Sequence, residues 1–184
     1  MTLEAIEYLD RYLTKSMDMF EWGSGGSTVF FAERVRTVCT IEHDQSWGAR
    51  VRHELNRREI SNVDLEVVAP TVSSDPGTSV EEPIWDNRPE YANLDFRAYV
   101  ETIEKWPDAS LDLAVVDGRC RPDCIRYATR KVKPMGLLVV DNSERAAYRA
   151  ALSTVAHWYT RHFFGPVVGC SLFSRTSVYV KPER

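Results

Sequence analysis

Cysteine is scarce in this 184-residue chain, which contains only Cys39, Cys120, Cys124 and Cys170. A disulfide-stabilised domain or a zinc ribbon would need more cysteines or closer pairs. A chain of this length buries about 70% of the surface that its unfolded form exposes, so it needs no cross-link or metal merely to fold. We therefore predict reduced thiols and a cytoplasmic location.

Long apolar runs are missing as well. Stretches such as residues 113–116 and 136–140 are far shorter than the ~20 residues of a membrane-spanning helix. Glu4 stands where a signal peptide would carry basic residues. We predict neither a membrane segment nor a signal peptide.

An excess of positive charge is also absent, because 23 Lys and Arg face 27 Asp and Glu. Proteins that bind nucleic acid or membrane surfaces broadly are usually basic. We therefore expect no nucleic-acid and no membrane partner. The length fits one domain over residues 1–184.

Helical and strand periodicities alternate along the chain. Helices are predicted over residues 2–15 (within an N-terminal segment 1–16), 27–34, 46–58, 93–106, 122–132 and 144–159. Strands are predicted over residues 17–22, 36–42, 63–69, 111–116, 137–140, 163–168 and 176–180. Residues 70–91, rich in proline, are predicted to form an irregular loop. The pattern predicts an α/β fold with a doubly wound, mostly parallel sheet and helices on both faces.

A glycine-rich turn, Gly23-Ser24-Gly25-Gly26-Ser27, follows the first predicted strand and Glu21. Glycines let the backbone turn sharply and approach a ligand. Glu42 ends the second strand, 21 residues after Glu21, where a carboxylate can accept hydrogen bonds from a ribose diol. The combination favours a nucleoside-containing ligand, with a purely structural turn as the alternative.

The identity of the nucleoside depends on two residues. Thr28 stands where the dinucleotide pattern G-x-G-x-x-G requires its third glycine, which disfavours a nicotinamide-dependent oxidoreductase. Glu21, two residues before the first glycine, suits a ligand that carries a cationic amine or sulfonium. S-adenosylmethionine has both groups.

Four segments, residues 20–28, 40–44, 115–118 and 133–142, resemble the strand-end motifs of class I S-adenosylmethionine-dependent methyltransferases. The resemblance implies a Rossmann-like, seven-stranded sheet with an antiparallel last strand. It departs from the family pattern at Ser27 and Met135, which replace frequent glycines, and no residue is assigned to the adenine. The predicted cofactor-binding residues are Glu21, Gly23, Ser24, Gly25, Ser27, Glu42, His43 and Asp117.

Asp117, Asp141 and Asn142 resemble the divalent-metal ligands of catechol- and caffeoyl-CoA-type O-methyltransferases within that family. Two carboxylates and an amide at adjacent strand ends are ligands that Mg²⁺ accepts. The alternative is that Asp-Gly and Asp-Asn-Ser simply form turns and helix caps. Either way, Asp117 is a candidate catalytic residue, as a metal ligand or as a base.

Arg119 and Arg121 precede a predicted helix, where the helix dipole disfavours cations by ~0.3–1 kcal/mol. An anionic substrate group would explain them, and pairing with Asp123 or Glu144 is the alternative. We take Arg119 as a second candidate catalytic residue. Arg145 and Tyr148 could face the same pocket.

Together these patterns predict an S-adenosylmethionine-dependent methyltransferase that acts on a small molecule, at oxygen. The Asn-Pro-Pro-Tyr type of sequence used by many base methylases is absent, since Asp117-Gly118-Arg119 follows the fourth core strand. The rivals are a metal-independent enzyme on the same scaffold and a methyltransferase-like domain that binds the cofactor or a partner without catalysis. A small enzyme without a lid could complete its pocket with a second subunit, so a homodimer is a further expectation.

Overall fold

The computed structural model describes residues 1–73, 93–169 and 171–183. Its strands are β1 (Asp18–Trp22), β2 (Thr37–Glu42), β3 (Val63–Val67), β4 (Thr71–Val72), β5 (Leu94–Asp95), β6 (Leu111–Val116), β7 (Val132–Val140), β8 (Tyr159–Pro166) and β9 (Phe173–Val180). Its α-helices are α1 (Leu3–Tyr12), α2 (Gly26–Ala32), α3 (Gln45–Arg57), α4 (Arg97–Glu101), α5 (Arg121–Lys131) and α6 (Arg149–Leu152).

The main sheet has seven strands in the order β3-β2-β1-β6-β7-β9-β8. The first five of these run parallel, whereas β9 is antiparallel to both of its neighbours. The predicted Rossmann-like fold with an antiparallel last strand is confirmed, since β9 is the last strand along the chain. The order reverses between β1 and β6, and in such sheets ligands bind at the carboxyl ends of the strands near this reversal.

Strand β6 shows why the sheet is covered on both faces. Its residues alternate between two apolar clusters, as the two-residue period of a strand requires. Ala114 and Val116 pack in the cluster that contains Tyr99 of α4 and Ile125 of α5. Leu113 and Val115 pack in the opposite cluster, with residues of α1 and α2 such as Leu9 and Phe31.

The last predicted helix, 144–159, is wrong in its extent. The chain instead forms 3₁₀ turns at Ala146–Tyr148 and Ser153–Val155 on either side of the short α6, and β8 already begins at Tyr159. The Glu144 carboxylate accepts hydrogen bonds from the Ser174 hydroxyl (2.9 Å) and the Arg175 N–H (3.0 Å). These bonds to β9 hold Glu144 outside the helix.

The predicted helix 93–106 starts later than expected. Asn93 has a positive φ of 64°, Leu94–Asp95 pairs with β4, and the Asp95 carboxylate accepts the Arg97 N–H at 2.7 Å. The helix therefore begins at Arg97 and continues as a 3₁₀ helix at Thr102–Lys105. Most of the predicted loop 70–91 lies outside the described residues.

Among residues 1–73, 93–169 and 171–183, no helix is long and apolar enough to cross a membrane.

Candidate active site

A cavity of about 940 Å³ opens at the carboxyl edge of the sheet, where β1, β2, β6 and β7 end. Most of the site residues predicted from the sequence line it. Those residues are Gly23, Ser24, Gly25, Ser27, Glu42, His43, Asp117 and Arg119. Glu21, Asp141 and Asn142 are not among the lining residues.

The loops after β1 and β6 touch through two glycines. Gly23 has φ +90°, and a Cβ built on it would lie 2.7 Å from the Gly118 backbone. A Cβ on Gly118 would lie 1.9 Å from the Tyr99 hydroxyl and 2.9 Å from the Gly23 nitrogen. This close approach brings the glycine turn and Asp117 to one wall of the cavity.

Glu21 is fully buried behind the glycine turn. Its carboxylate accepts hydrogen bonds from the hydroxyls of Ser27 (2.6 Å), Thr28 (2.6 Å) and Thr40 (2.9 Å). Burial raises its pKa to about 7, against the opposing effect of these three hydroxyls. Ser27 and Thr28 therefore fix the turn by donating to Glu21.

Glu42 is 3% exposed and organises the cavity wall at the end of β2. One carboxylate oxygen accepts the Ser24 N–H (3.1 Å) and hydroxyl (3.0 Å), and the other accepts the N–H groups of His43 (2.8 Å) and Asp44 (3.0 Å). Burial would raise the pKa of Glu42, but the bonds from His43 and Asp44 outweigh it and lower that pKa. The group is therefore held as a carboxylate at the cavity.

Trp47 is a cavity residue that the sequence reasoning missed. It shares a four-residue spacing with Val51 and Leu55, which are buried, yet Trp47 is 44% exposed and lines the cavity. Its indole N–H donates to the Ser24 carbonyl at 2.8 Å. Asp44 caps α3 by accepting the Trp47 N–H at 2.9 Å, and this cap marks Trp47 as a first-turn residue at the sheet edge.

Arg121 occupies the space between the ends of β6 and β7. Its guanidinium lies 3.0 Å from the Asp117 carboxylate and donates to the Asp117, Gly118 and Asp141 carbonyls and to the Asn142 side chain at 2.7–2.9 Å. Burial raises the pKa of Asp117 to about 6; the Arg121 charge opposes this rise and Asp141 adds to it. Of the two predicted alternatives for Arg121, pairing with an acid is the one observed, although the acid is Asp117.

The predicted metal ligands do not fit a divalent cation. Asp141 accepts the Thr176 hydroxyl at 2.6 Å, and Asn142 uses its oxygen for Arg121 and its amide N–H₂ for Ser174 (2.6 Å). A guanidinium already provides the positive charge next to Asp117. Within the described part of the chain, no group of three His, Cys, Asp or Glu could hold a metal ion.

Two more arginines line the cavity, Arg119 and Arg145. The Arg119 N–H donates to the Tyr99 hydroxyl at 3.3 Å. Arg145 donates to the Tyr148 hydroxyl at 3.0 Å. Tyr148 itself is buried and supports Arg145 from below the cavity surface.

Comparison with known proteins identifies the fold of this chain. No family model matches the sequence, and no curated protein matches it either. Solved structures match over nearly all of the chain. An O-methyltransferase from Bacillus cereus in complex with SAH (S-adenosylhomocysteine) superposes with a TM-score of 0.69 at 13% identity, over 98% of this chain and 82% of that one.

Two further solved structures are similar to nearly the whole chain. An rRNA methylase from Streptococcus thermophilus has a TM-score of 0.65 at 10% identity, over 98% of this chain and 95% of that one. A methyltransferase-like protein from Silicibacter pomeroyi has a TM-score of 0.63 at 22% identity, over 99% and 87%.

The chain has the class I methyltransferase fold. The cavity lies where this fold is expected to bind its ligands, beyond the ends of the parallel strands near the reversal of strand order. The similar methyltransferases act on acceptors as different as rRNA and the substrate of an O-methyltransferase. The methyltransferase fold therefore does not define the acceptor, which has to be argued from the site.

Proposed function

We propose that this protein is an S-adenosylmethionine-dependent methyltransferase that acts on a small molecule, at oxygen. The observation that carries the proposal is that the glycine turn, Glu42 and Asp117 line one cavity. The SAH complex of the similar Bacillus cereus O-methyltransferase supports the choice of cofactor.

The residues of the β1 and β2 ends fit the cofactor's nucleoside. Glu42 is a carboxylate whose Ser24 hydroxyl donor can rotate away, which leaves an oxygen for a ribose hydroxyl. The exposed ring of Trp47 offers an apolar face beside Gly25, since a Cβ on Gly25 would lie 3.9 Å from it. S-adenosylmethionine supplies a methyl group on a sulfonium when bound. Glu21 fixes the turn from behind and adds negative charge when ionised.

Asp117 is the proposed base. Its side chain is 23% exposed, it lines the cavity, and with a pKa of about 6 it is ionised at neutral pH. It would take the proton of an acceptor hydroxyl while that oxygen gains the methyl group. Arg119, the next cavity-lining side chain along the loop, is proposed to orient the acceptor. No step requires a divalent cation, so the metal-independent form of the predicted enzyme is the one we propose.

One observation favours the alternative of a cofactor-binding domain without catalysis. The ion pair with Arg121 stabilises the ionised form of Asp117 and so makes it a weaker base. A displacement at a sulfonium depends strongly on positioning, so a weak base is compatible with turnover. The enzyme and the non-catalytic domain should both bind the cofactor, but only the enzyme should form a methylated product.

Isothermal titration with S-adenosylmethionine and S-adenosylhomocysteine tests the shared part of both functions. We expect both to bind; a folded protein that binds neither would overturn the proposal. Incubation with S-adenosylmethionine and a panel of hydroxylated small molecules, followed by mass spectrometry, then separates them. A product 14 Da heavier than its acceptor supports the enzyme, whereas binding without any product across the panel supports the alternative.

A further inference from the structure

The cavity has an apolar wall that the cofactor site does not explain. Leu3 and Ile6 of α1, Phe30 of α2 and Val168 all line it. Leu3 is 46% exposed and Val168 is 60% exposed, so both present apolar surface to the opening. Apolar side chains around a cavity favour an occupant with an apolar body.

The apolar wall is anchored to strand β9 and to the segment that follows β8. The Thr2 N–H donates to the Thr176 hydroxyl of β9 at 2.9 Å, and Thr2 also forms a β-bridge with Val167. The chain that leads into α1 is thereby anchored beside the 167–168 segment. Leu3, Ile6 and Val168 consequently form one surface.

Strand order separates the two halves of the cavity. The glycine turn and Glu42 follow β1 and β2, whereas Arg145 follows β7, on the other side of β6. The Met1 nitrogen lies 3.5 Å from the Asp141 carboxylate at the end of β7. The apolar wall therefore adjoins the β7 end, and Asp117, which follows β6, lies between the two halves.

Arg145 gives the β7 half a positive charge. It is half-buried, and the Tyr148 hydroxyl takes one of its five N–H donors. A guanidinium on a partly dehydrated wall binds carboxylates through paired, charge-assisted hydrogen bonds. The three acids that line the cavity are engaged by other groups: Glu42 by Ser24 and His43, Asp44 by Ser46 and Trp47, and Asp117 by Arg121.

We propose that the acceptor is an amphipathic hydroxy acid, whose apolar body packs on Leu3, Ile6 and Val168, whose carboxylate binds Arg145 and whose hydroxyl is the group presented to Asp117. This inference rests on the proposed function, because it places the acceptor opposite the cofactor. Arg145 and the apolar surface beside it are the two features that specify this substrate class.

The test uses hexanoate, butanoate and uncharged hexanamide as probes, titrated by NMR into the protein saturated with S-adenosylhomocysteine. Hexanoate should bind at least tenfold more tightly than hexanamide. Its affinity should also exceed that of butanoate by about tenfold, because each of the two additional methylene groups contributes about three- to fourfold. If S-adenosylhomocysteine binds but hexanoate gains nothing over hexanamide, this inference fails while the proposed function stands. If S-adenosylhomocysteine itself does not bind, the proposed function fails first.

Substitutions test which residues cause the preference for hexanoate. Arg145→Gln should reduce hexanoate affinity at least tenfold and leave hexanamide unchanged, while Arg145→Lys should restore most of the loss. Arg149→Gln, the same change on an exposed residue outside the cavity, is the matched control. Leu3→Ser should reduce the difference in affinity between hexanoate and butanoate. Equal effects of the Arg145 and Arg149 substitutions to Gln would overturn the assignment.

Discussion

The Arg121 guanidinium lies 3.0 Å from the Asp117 carboxylate and only 11% of its side chain is exposed. Because this ion pair is largely buried and also satisfies carbonyls at two strand ends, Arg121→Gln should lower the free energy of unfolding by about 3–5 kcal/mol. Arg126→Gln on the same helix breaks an exposed pair with Asp123 and should cost about 1 kcal/mol or less. Urea denaturation of both variants measures the difference, and similar costs would contradict the role given to Arg121.

The same pairing predicts insensitivity to chelators. With a guanidinium beside Asp117, and with Thr176 and Arg121 donating to the side-chain oxygens of Asp141 and Asn142, S-adenosylhomocysteine affinity should be unchanged by millimolar EDTA. Added Mg²⁺ should not raise the melting temperature. Turnover, once an acceptor is found, should also survive EDTA. A loss of binding or turnover that Mg²⁺ restores would contradict the metal-free site.

Local pattern predicted the sheet because strand periods, glycines and strand-end acids are encoded within a few residues. It placed Glu42 and Asp117 at one edge because parallel strands share their carboxyl ends. It did not reveal that Asp141 turns to Thr176 of β9, 35 residues away, since such a bond depends on tertiary contact. It did not place Trp47 in the cavity either, because helical spacing shows which residues share a face without showing where that face ends.

Glu42→Gln tests the ribose contact. The variant keeps the shape of the side chain but places an amide among N–H donors from Ser24, His43 and Asp44. We expect S-adenosylhomocysteine affinity to fall at least tenfold by titration calorimetry, consistent with ~1.5–3 kcal/mol for hydrogen bonds to a charged group. Glu66→Gln, on the exposed end of β3, is the control.

A deoxyribose analogue of S-adenosylhomocysteine separates ribose binding from support of the turn. Wild type should lose affinity when the 2′-hydroxyl is removed, and Glu42→Gln should show a much smaller loss. Equal losses in the two proteins would mean that Glu42 only holds Ser24 and the α3 entry in place.

Glu21 should make stability depend on pH. Its folded pKa of about 7 exceeds the ordinary 4.5, so between these values the folded state holds a proton that the unfolded state has released. The free energy of unfolding therefore falls as pH rises from 4.5 to 7, by up to about 3 kcal/mol from this group. Urea titrations at several pH values should show a shallower fall for Glu21→Gln than for wild type. The exposed Glu7→Gln control should keep the wild-type slope, and identical slopes in all three would contradict the buried, protonating Glu21.

Two glycines of the same turn should respond oppositely to substitution by alanine. Gly23 combines φ +90° with a Cβ position 2.7 Å from the Gly118 backbone, whereas a Cβ on Gly26, the first residue of α2, meets nothing within 4 Å. Gly23→Ala should cost about 2–4 kcal/mol, from the left-handed backbone and from overpacking. Gly26→Ala should be neutral or slightly stabilising, because alanine favours the helix. Because Asp117 is held against Gly23 through Gly118, Gly23→Ala should also weaken S-adenosylhomocysteine binding in any fraction that stays folded. Thermal unfolding and calorimetry on both variants check this, and a Gly23→Ala protein as stable as wild type would show that the two loops do not need their close approach.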